Sequence, residues 1–180
     1  MKSSPVGEVY YDIETQKSAA EVGGWQNTHL MRISVAVTWN EKDGFRRWQE
    51  GEASDLISYL SAHDHIISFN GDGFDSKVLS YYGDTSEINR RSLDLATALK
   101  KNLGHRIRLD SIAQPTLGKG KSADGLTALR WWKEGRIELI SEYCEQDVQV
   151  LVDLLKFLRG NGYLRYLDLS GNERMVYLKL

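Results

Sequence analysis

Two acidic side chains stand two residues apart in Asp12-Ile13-Glu14, directly after the apolar run of residues 9–11. Successive side chains of a β-strand point to opposite faces, so Asp12 and Glu14 would project from the same face. Carboxylate oxygens are suitable ligands for hard divalent cations such as Mg²⁺. Acidic pairs are common on surface strands, but charges at the end of a buried strand need a partner or a metal. The pair is therefore a candidate metal site.

A third acid follows a predicted turn between Phe69 and Asp75. The glycines in this segment allow a tight turn at the end of a strand, which places Asp75 in the first turn of the next helix. An acid in that position is also favoured by the helix dipole alone. We expect Asp72, inside the turn, to be exposed and not a ligand.

The fourth acid lies in the helical pattern near the C-terminus. Tyr143 and Asp147 are four residues apart, so they share one helix face. Asp147 also adjoins the apolar stripe that includes Val148 and Leu151. An acid next to a phenol and beside a buried stripe indicates that both side chains line a cleft.

Hydrophobic periodicity predicts the elements that would position these acids. Strands are expected at residues 8–12, 30–39, 45–49, 65–69 and 173–178, the second and third forming a hairpin. Helices are expected at residues 54–62, 74–82, 110–117, 124–132 and 137–158, with another after Asp94. Ser54 and Asp124 are the expected helix caps. This order predicts an α/β fold with a mixed sheet flanked by helices.

Composition predicts one ordinary domain spanning residues 1–180, because the hydrophobic (41%) and charged (27%) fractions are near globular averages. Cys144 is the single cysteine, which excludes an intramolecular disulfide framework and a cysteine-rich zinc site. No apolar run approaches the roughly 20 residues of a membrane span, and no signal peptide precedes the first strand. A soluble cytoplasmic protein without a membrane partner is expected.

Charge is unevenly distributed along the chain. Residues 100–136 contain nine basic and three acidic side chains, a net charge of +6, while the rest carries −8. Such segregation can place a basic surface for phosphates beside an acidic metal site, although solvated helix faces give the same pattern.

The three acidic segments, in this order and spacing, resemble the exonuclease motifs of the DEDD superfamily. The similarity is greatest to the 3′–5′ exonuclease domains of B-family DNA polymerases and their stand-alone relatives, and it extends over residues 8–158. It implies a ribonuclease-H-like fold with about five strands. The histidine branch has His five residues before the last Asp, where this chain has Glu142, whereas Tyr143 matches the tyrosine branch.

This resemblance implies a 3′–5′ exonuclease that hydrolyses phosphodiester bonds at the 3′ end of DNA or RNA with two Mg²⁺ or Mn²⁺ ions about 4 Å apart. Asp12 would bridge both ions, and Glu14 and Asp147 would bind the ion that activates water. Asp75 would act on the second ion, which stabilises the leaving 3′ oxygen. Tyr143 would orient the water, since a phenol is a poor base at neutral pH.

The expected partner is nucleic acid with a single-stranded 3′ end, and a replication or repair protein is a further candidate. Five side chains are the expected substrate contacts: Thr15, Asn70, Phe74, Lys119 and Lys121.

Two alternatives remain at this point. One is a nucleic-acid-binding module that keeps the fold without catalysis, although all five catalytic side chains are present. The other is a phosphatase of the haloacid-dehalogenase type, which also begins with a strand ending in an acidic pair. That family has Asp-x-Asp, whereas the second acid here is Glu14, and it assigns no role to Tyr143 or Asp147.

Overall fold

A five-stranded mixed sheet forms the centre of the computed structural model, which describes residues 7–120 and 124–179. Its strands are β1 (Glu8–Thr15), β2 (Ile33–Asn40), β3 (Gly44–Trp48), β4 (His65–Ser68) and β5 (Ser92–Asp94). They lie in the order β3-β2-β1-β4-β5. Strand β2 is antiparallel to both β3 and β1, whereas β1, β4 and β5 are parallel to one another. The predicted α/β fold and the hairpin of β2 and β3 are confirmed.

Seven helices surround the sheet within the described residues. They are α1 (Ala53–Ser61), α2 (Asp75–Leu79), α3 (Ser86–Arg90), α4 (Leu95–Leu103), α5 (Asp110–Leu117), α6 (Gly125–Lys133) and α7 (Ile137–Asn161), with short 3₁₀ turns at Trp25–Leu30 and Glu50–Glu52. Among the described helices, none is long and apolar enough to cross a membrane.

The sheet separates two hydrophobic cores because side chains alternate along β1. Tyr10 packs with α4, α5 and α7 on one face. Val9, Tyr11 and Ile13 pack with α1, α2 and α3 on the other. The acids at positions 12 and 14 continue the face of Tyr10, toward α7.

Helix α7 is the longest element, and its apolar residues recur at three-to-four spacing as predicted. It packs across β1 and β2, and it ends where Gly162 adopts a left-handed conformation with φ of 78°. After it, β6 (Tyr163–Leu167) pairs with β7 (Glu173–Tyr177) in a separate two-stranded sheet. The late strand is thus confirmed, but its partner β6 was not predicted.

Other boundaries differ from the sequence prediction. Asp124 caps α6 as expected, and its carboxylate accepts the Thr127 N–H at 2.8 Å. Ser54 is not a cap, because a capping box between Gln49 and Glu52 begins the 3₁₀ turn that leads directly into α1. The predicted helix at residues 74–82 is shorter, and β5 and α3 were missed because each is only three to five residues long.

Replacing the fully buried Leu155 of α7 with alanine should lower the free energy of unfolding by about 2–5 kcal/mol, because it leaves a cavity under the sheet. Urea denaturation measures the change. Glu142→Ala, on the exposed side of the same helix, should stay within about 0.5 kcal/mol of the wild type. Equal effects of the two substitutions would contradict the packing of α7 described here.

Candidate metal centre and cleft

The acidic pair lies where β1 extends beyond its parallel neighbour. Strand β4 pairs with β1 only as far as Tyr10, while β2 continues to pair with β1 through Thr15. One edge of β1 is therefore open from Asp12 onward. Asp12 and Glu14 are half-buried and point toward α7, and Ile13 between them is buried on the opposite face.

Helix α7 brings a third carboxylate to this pair. Asp147 is buried, and oxygen atoms of Asp12, Glu14 and Asp147 all lie within 4.8 Å of one another. The two elements are separated by more than a hundred residues in sequence, so the packing of α7 over β1 alone creates the cluster.

Asp75 lies on the open edge of β1, outside the three-carboxylate cluster. It begins α2, is 3% exposed, and its Oδ1 accepts the Ile13 N–H at 2.8 Å. The bond satisfies a backbone donor that β4 no longer covers. Burial, and next the charge of Asp12, raise the pKa of Asp75 well above its usual value, while the Ile13 bond lowers it. Asp75 and Asp12 are therefore close enough to repel each other.

Tyr143 is the neutral member of the site. Burial raises the pKa of its phenol strongly, followed by the charges of Asp147, Glu14 and Asp12 and a hydrogen bond with Asp147. Its ring packs edge-on against Trp131, with centroids 6.3 Å apart. The phenol stays protonated at neutral pH, so it can donate a hydrogen bond but cannot act as a base.

Two positioning residues were not found from the sequence. The Cys144 thiol, interpreted only as a buried helix residue, lies 3.4 Å from both the backbone oxygen and Oδ2 of Asp12. The Asp94 carboxylate accepts the N–H groups of Asn70 (2.7 Å) and Asp72 (3.2 Å), besides capping α4. Its role as a cap was detectable, but its bonds to the turn before Asp75 were not, because they span more than 20 residues.

The acids lie at the centre of a cleft with two lobes. Asp12, Asp147, Phe69, Asn70 and Arg108 line both lobes. The basic lobe, about 590 Å³, adds Lys100 and Arg106, together with Asp72 and neighbouring residues. The apolar lobe, about 570 Å³, adds Glu14, Asp75 and Tyr143 and is walled by Trp25, Phe74, Leu126 and Leu129. Asp72 is exposed, as expected.

The predicted substrate contacts are distributed unevenly. Thr15, Asn70 and Phe74 line the apolar lobe, and Asn70 also lines the basic lobe. Lys119 lines neither lobe, and its Nζ lies 2.8 Å from Oδ2 of Asp153. Lys121 lies outside the described residues. That these five residues contact a substrate remains a prediction.

The donor set fits divalent cations. Three carboxylates offer hard oxygen ligands at mutual distances that one ion can span. The close placement of these acids concentrates negative charge in the site, and burial, followed by the charge of Asp12, raises the pKa of Asp75. Cations held by Asp12, Glu14 and Asp147 would neutralise that charge.

Comparisons with known proteins identify the superfamily of the chain and agree with its fold. The sequence model of the RNase H superfamily matches residues 9–159. The family B DNA polymerase from the hyperthermophilic archaeon Pyrobaculum calidifontis superposes with a TM-score of 0.63 and 14% sequence identity, over 84% of this chain and 24% of the polymerase chain. At this identity the likeness shows the fold alone, and the chain spans about a quarter of the polymerase's length. Among curated proteins, none matches the sequence significantly.

Mg²⁺ or Mn²⁺ should raise the melting temperature more than NaCl at matched ionic strength, because a cation that binds only the folded state stabilises it by about 2.7 kcal/mol at 100 times its Kd. Differential scanning fluorimetry with increasing cation concentration measures the shift. Equal shifts with NaCl would contradict a specific site.

Asp75→Asn should raise the melting temperature of the metal-free protein at pH 7 by about 2–4 °C for each kcal/mol of relieved repulsion. The amide keeps the oxygen that accepts the Ile13 N–H and removes the charge. Because the folded-state pKa of Asp75 is raised, its stabilising contribution is present below 3.8 and is lost as pH rises through the folded-state pKa. The two proteins should therefore converge near pH 4.

Glu142→Gln makes the same charge change at an exposed position of α7 and serves as the control. A lower melting temperature for Asp75→Asn at pH 7, or a shift equal to that of the control, would show that Asp75 is not repelled by Asp12.

Proposed function

The chain belongs to the RNase H superfamily, and we propose that it is a 3′–5′ exonuclease of the tyrosine-type DEDD branch, which hydrolyses phosphodiester bonds at the 3′ end of DNA or RNA. One observation carries the proposal. The oxygens of Asp12, Glu14 and Asp147 lie within 4.8 Å of one another, and Asp75 and Tyr143 flank them. Membership of the superfamily supports a nuclease-type hydrolase. The 3′–5′ direction of degradation and the tyrosine-type branch go further and are what we propose.

Each acid has a distinct part in this function. Asp12, at the centre of the cleft, would hold both of two divalent cations, Mg²⁺ or Mn²⁺, with Glu14 and Asp147 on one side and Asp75 on the other. Such cations, when bound, supply charge neutralisation at the phosphate and a more acidic water. The Cys144 thiol, at 3.4 Å from Oδ2, restricts the orientation of the Asp12 carboxylate.

Tyr143 would orient the attacking water. Its pKa is raised, so the phenol keeps its proton, and its hydrogen bond with Asp147 places the hydroxyl beside the acidic cluster. The phenol donates its proton to the bond with Asp147, so its oxygen can accept a hydrogen bond from the water and fix the water's position without removing a proton, which would contribute to the rate through orientation.

The apolar lobe suits the terminal nucleotide. Trp25 is 69% exposed, and its ring centroid lies 6.4 Å from that of Phe74. Leu126 is also largely exposed beside them. Exposed aromatic rings stack on nucleic-acid bases without regard to sequence. Glu14, Asp75 and Tyr143 line this same lobe, so the base would lie beside the reacting phosphate.

The phosphatase alternative has no support in the site. It left Tyr143 and Asp147 without roles, whereas both side chains meet the acidic pair. The proposed partner is nucleic acid with a free single-stranded 3′ end, and an additional replication or repair protein remains a prediction.

Incubation of 5′-labelled DNA and RNA oligonucleotides with Mg²⁺ or Mn²⁺ tests the proposal, and a ladder with one-nucleotide steps is the expected product. Asp12→Ala should lower the rate by at least about 10³-fold, because it removes several kcal/mol of metal-dependent stabilisation. The variant should still bind the oligonucleotide in Ca²⁺. Glu142→Ala, outside the cleft, is the control and should retain activity.

Degradation by Asp12→Ala at the wild-type rate would reject the site. Binding without any degradation by the wild type would instead indicate the catalytically silent module.

A further inference from the structure

The structure divides eight of the nine basic residues at positions 100–136 into two groups, and the ninth, Lys121, lies outside the described residues. One group forms ion pairs: Lys119 with Asp153 (2.8 Å), Lys133 with Glu21 (2.8 Å), and Arg130 and Arg136 with Glu134 (3.9 and 3.6 Å). These side chains already have acidic partners on the protein, and Arg130 and Arg136 share one, so their charges are partly offset.

The second group has no such pairs. Within residues 7–120 and 124–179, Lys100, Lys101, Arg106 and Arg108 form no ion pair closer than 4 Å. Three of these four line the basic lobe, and Lys101 does not. Among the described basic residues of this region, most of the charge without an ion pair therefore lies in the cleft that contains Asp12 and Asp147, where Arg108 also interacts electrostatically with Asp124.

The local structure explains how the two arginines reach the lobe. Arg106 and Arg108 are exposed and lie in the connection between α4 and α5, with the half-buried Ile107 between them. Ile107 and the buried Leu109 pack on the core around α7, which fixes this segment. Arg106, Ile107 and Arg108 all line the basic lobe, so this anchored segment forms one of its walls.

The lobe is also net positive once the metal centre is neutralised. Its acids are Asp12, Asp147 and Asp72. If cations neutralise Asp12 and Asp147, the lobe keeps one negative side chain, Asp72, and three positive ones, Lys100, Arg106 and Arg108. A cleft lined by one sign of charge raises the local concentration of an oppositely charged ligand. Guanidinium groups are well matched to phosphate oxygens.

We propose that the basic lobe, through Arg106 and Arg108, binds the internucleotide phosphates on the 5′ side of the scissile bond. This inference rests on the proposed function. The direction follows from the lining of the cleft: Glu14, Asp75 and Tyr143 face only the apolar lobe, whereas Asp12 and Asp147 face both. The scissile phosphate thus lies between the terminal nucleotide in one lobe and the remaining strand in the other.

The size of the lobes favours a single strand. Each has a volume of less than 600 Å³, which is in the range of a site for one small molecule. One or two nucleotides fill such a space, so we expect a duplex to enter it only after its 3′ end unpairs. Blunt duplex DNA is therefore expected to bind at least about tenfold more weakly than a single strand.

Fluorescence anisotropy of a 5′-fluorescein-labelled ten-nucleotide oligothymidylate, titrated with protein in Ca²⁺, tests this inference through binding. Arg106→Gln and Arg108→Gln should each raise Kd several-fold. Each should also make the dependence of log Kd on log salt concentration shallower by about 0.7, the value for one phosphate contact on a single strand. Lys101→Gln, the matched control on α4, should stay within about twofold of the wild type.

Hydrolysis provides the second measurement. The 5′-p-nitrophenyl ester of thymidine monophosphate has a single phosphate, so it occupies the metal centre without entering the basic lobe as a strand. For the arginine variants, the loss of kcat/KM on the oligonucleotide should exceed the loss on the ester by about tenfold, and it should arise mainly from KM. Unchanged melting temperatures would verify folding.

The outcomes separate the inference from the function on which it rests. Equal losses on both substrates, or a Lys101→Gln effect as large as that of the arginines, would overturn the inference while leaving an active nuclease. Arginine-dependent, salt-sensitive binding with no hydrolysis of either substrate by the wild type would overturn the proposed exonuclease and retain the basic lobe as a strand-binding site.

Discussion

Electrostatic repulsion among four carboxylates at the open end of β1 is the constraint on which the site depends. Asp12, Glu14 and Asp147 lie within 4.8 Å of one another, and Asp75 is buried beside Asp12 with a raised pKa. Like charges at these distances destabilise the fold unless cations or protons neutralise them. The surrounding structure therefore has to hold the acids in place against their repulsion.

Three kinds of support hold them. The core under α7 fixes Asp147 over β1, because buried residues flank it on the helix. The Ile13 N–H, left uncovered where β4 ends, fixes Asp75. Asp94 then holds the backbone of the turn that leads to Asp75, through Asn70, whose positive φ of 67° is uncommon outside glycine. The end of strand β4 and the first turns of α2 and α4 thus meet beside β1, and the cleft opens there.

Much of this arrangement could be predicted from the sequence, and the remainder could not for identifiable reasons. The periodicity of α7 and the alternation of Asp12 and Glu14 are local signals, and both were reliable. Strands β5 and β6 are five residues or fewer, so each offers too little alternation to be detected. The contact of Cys144 with Asp12 and the bonds of Asp94 to the turn join distant segments, so no local pattern contains them. The charge run showed how many basic residues there are, but only the fold shows which of them form ion pairs. Lys119 pairs with Asp153, whereas Arg106 has no ion pair with any other residue in the described part of the chain.

We propose that these carboxylates enclose a pair of divalent cations. A crystal soaked in Mn²⁺ and measured at the manganese absorption edge would locate such ions. Two anomalous peaks about 4 Å apart are expected, with Asp12 between them, Asp147 near one and Asp75 near the other. Ordinary solvent density in place of the peaks, with Asp75 or Asp147 turned away from Asp12, would contradict the proposed metal site.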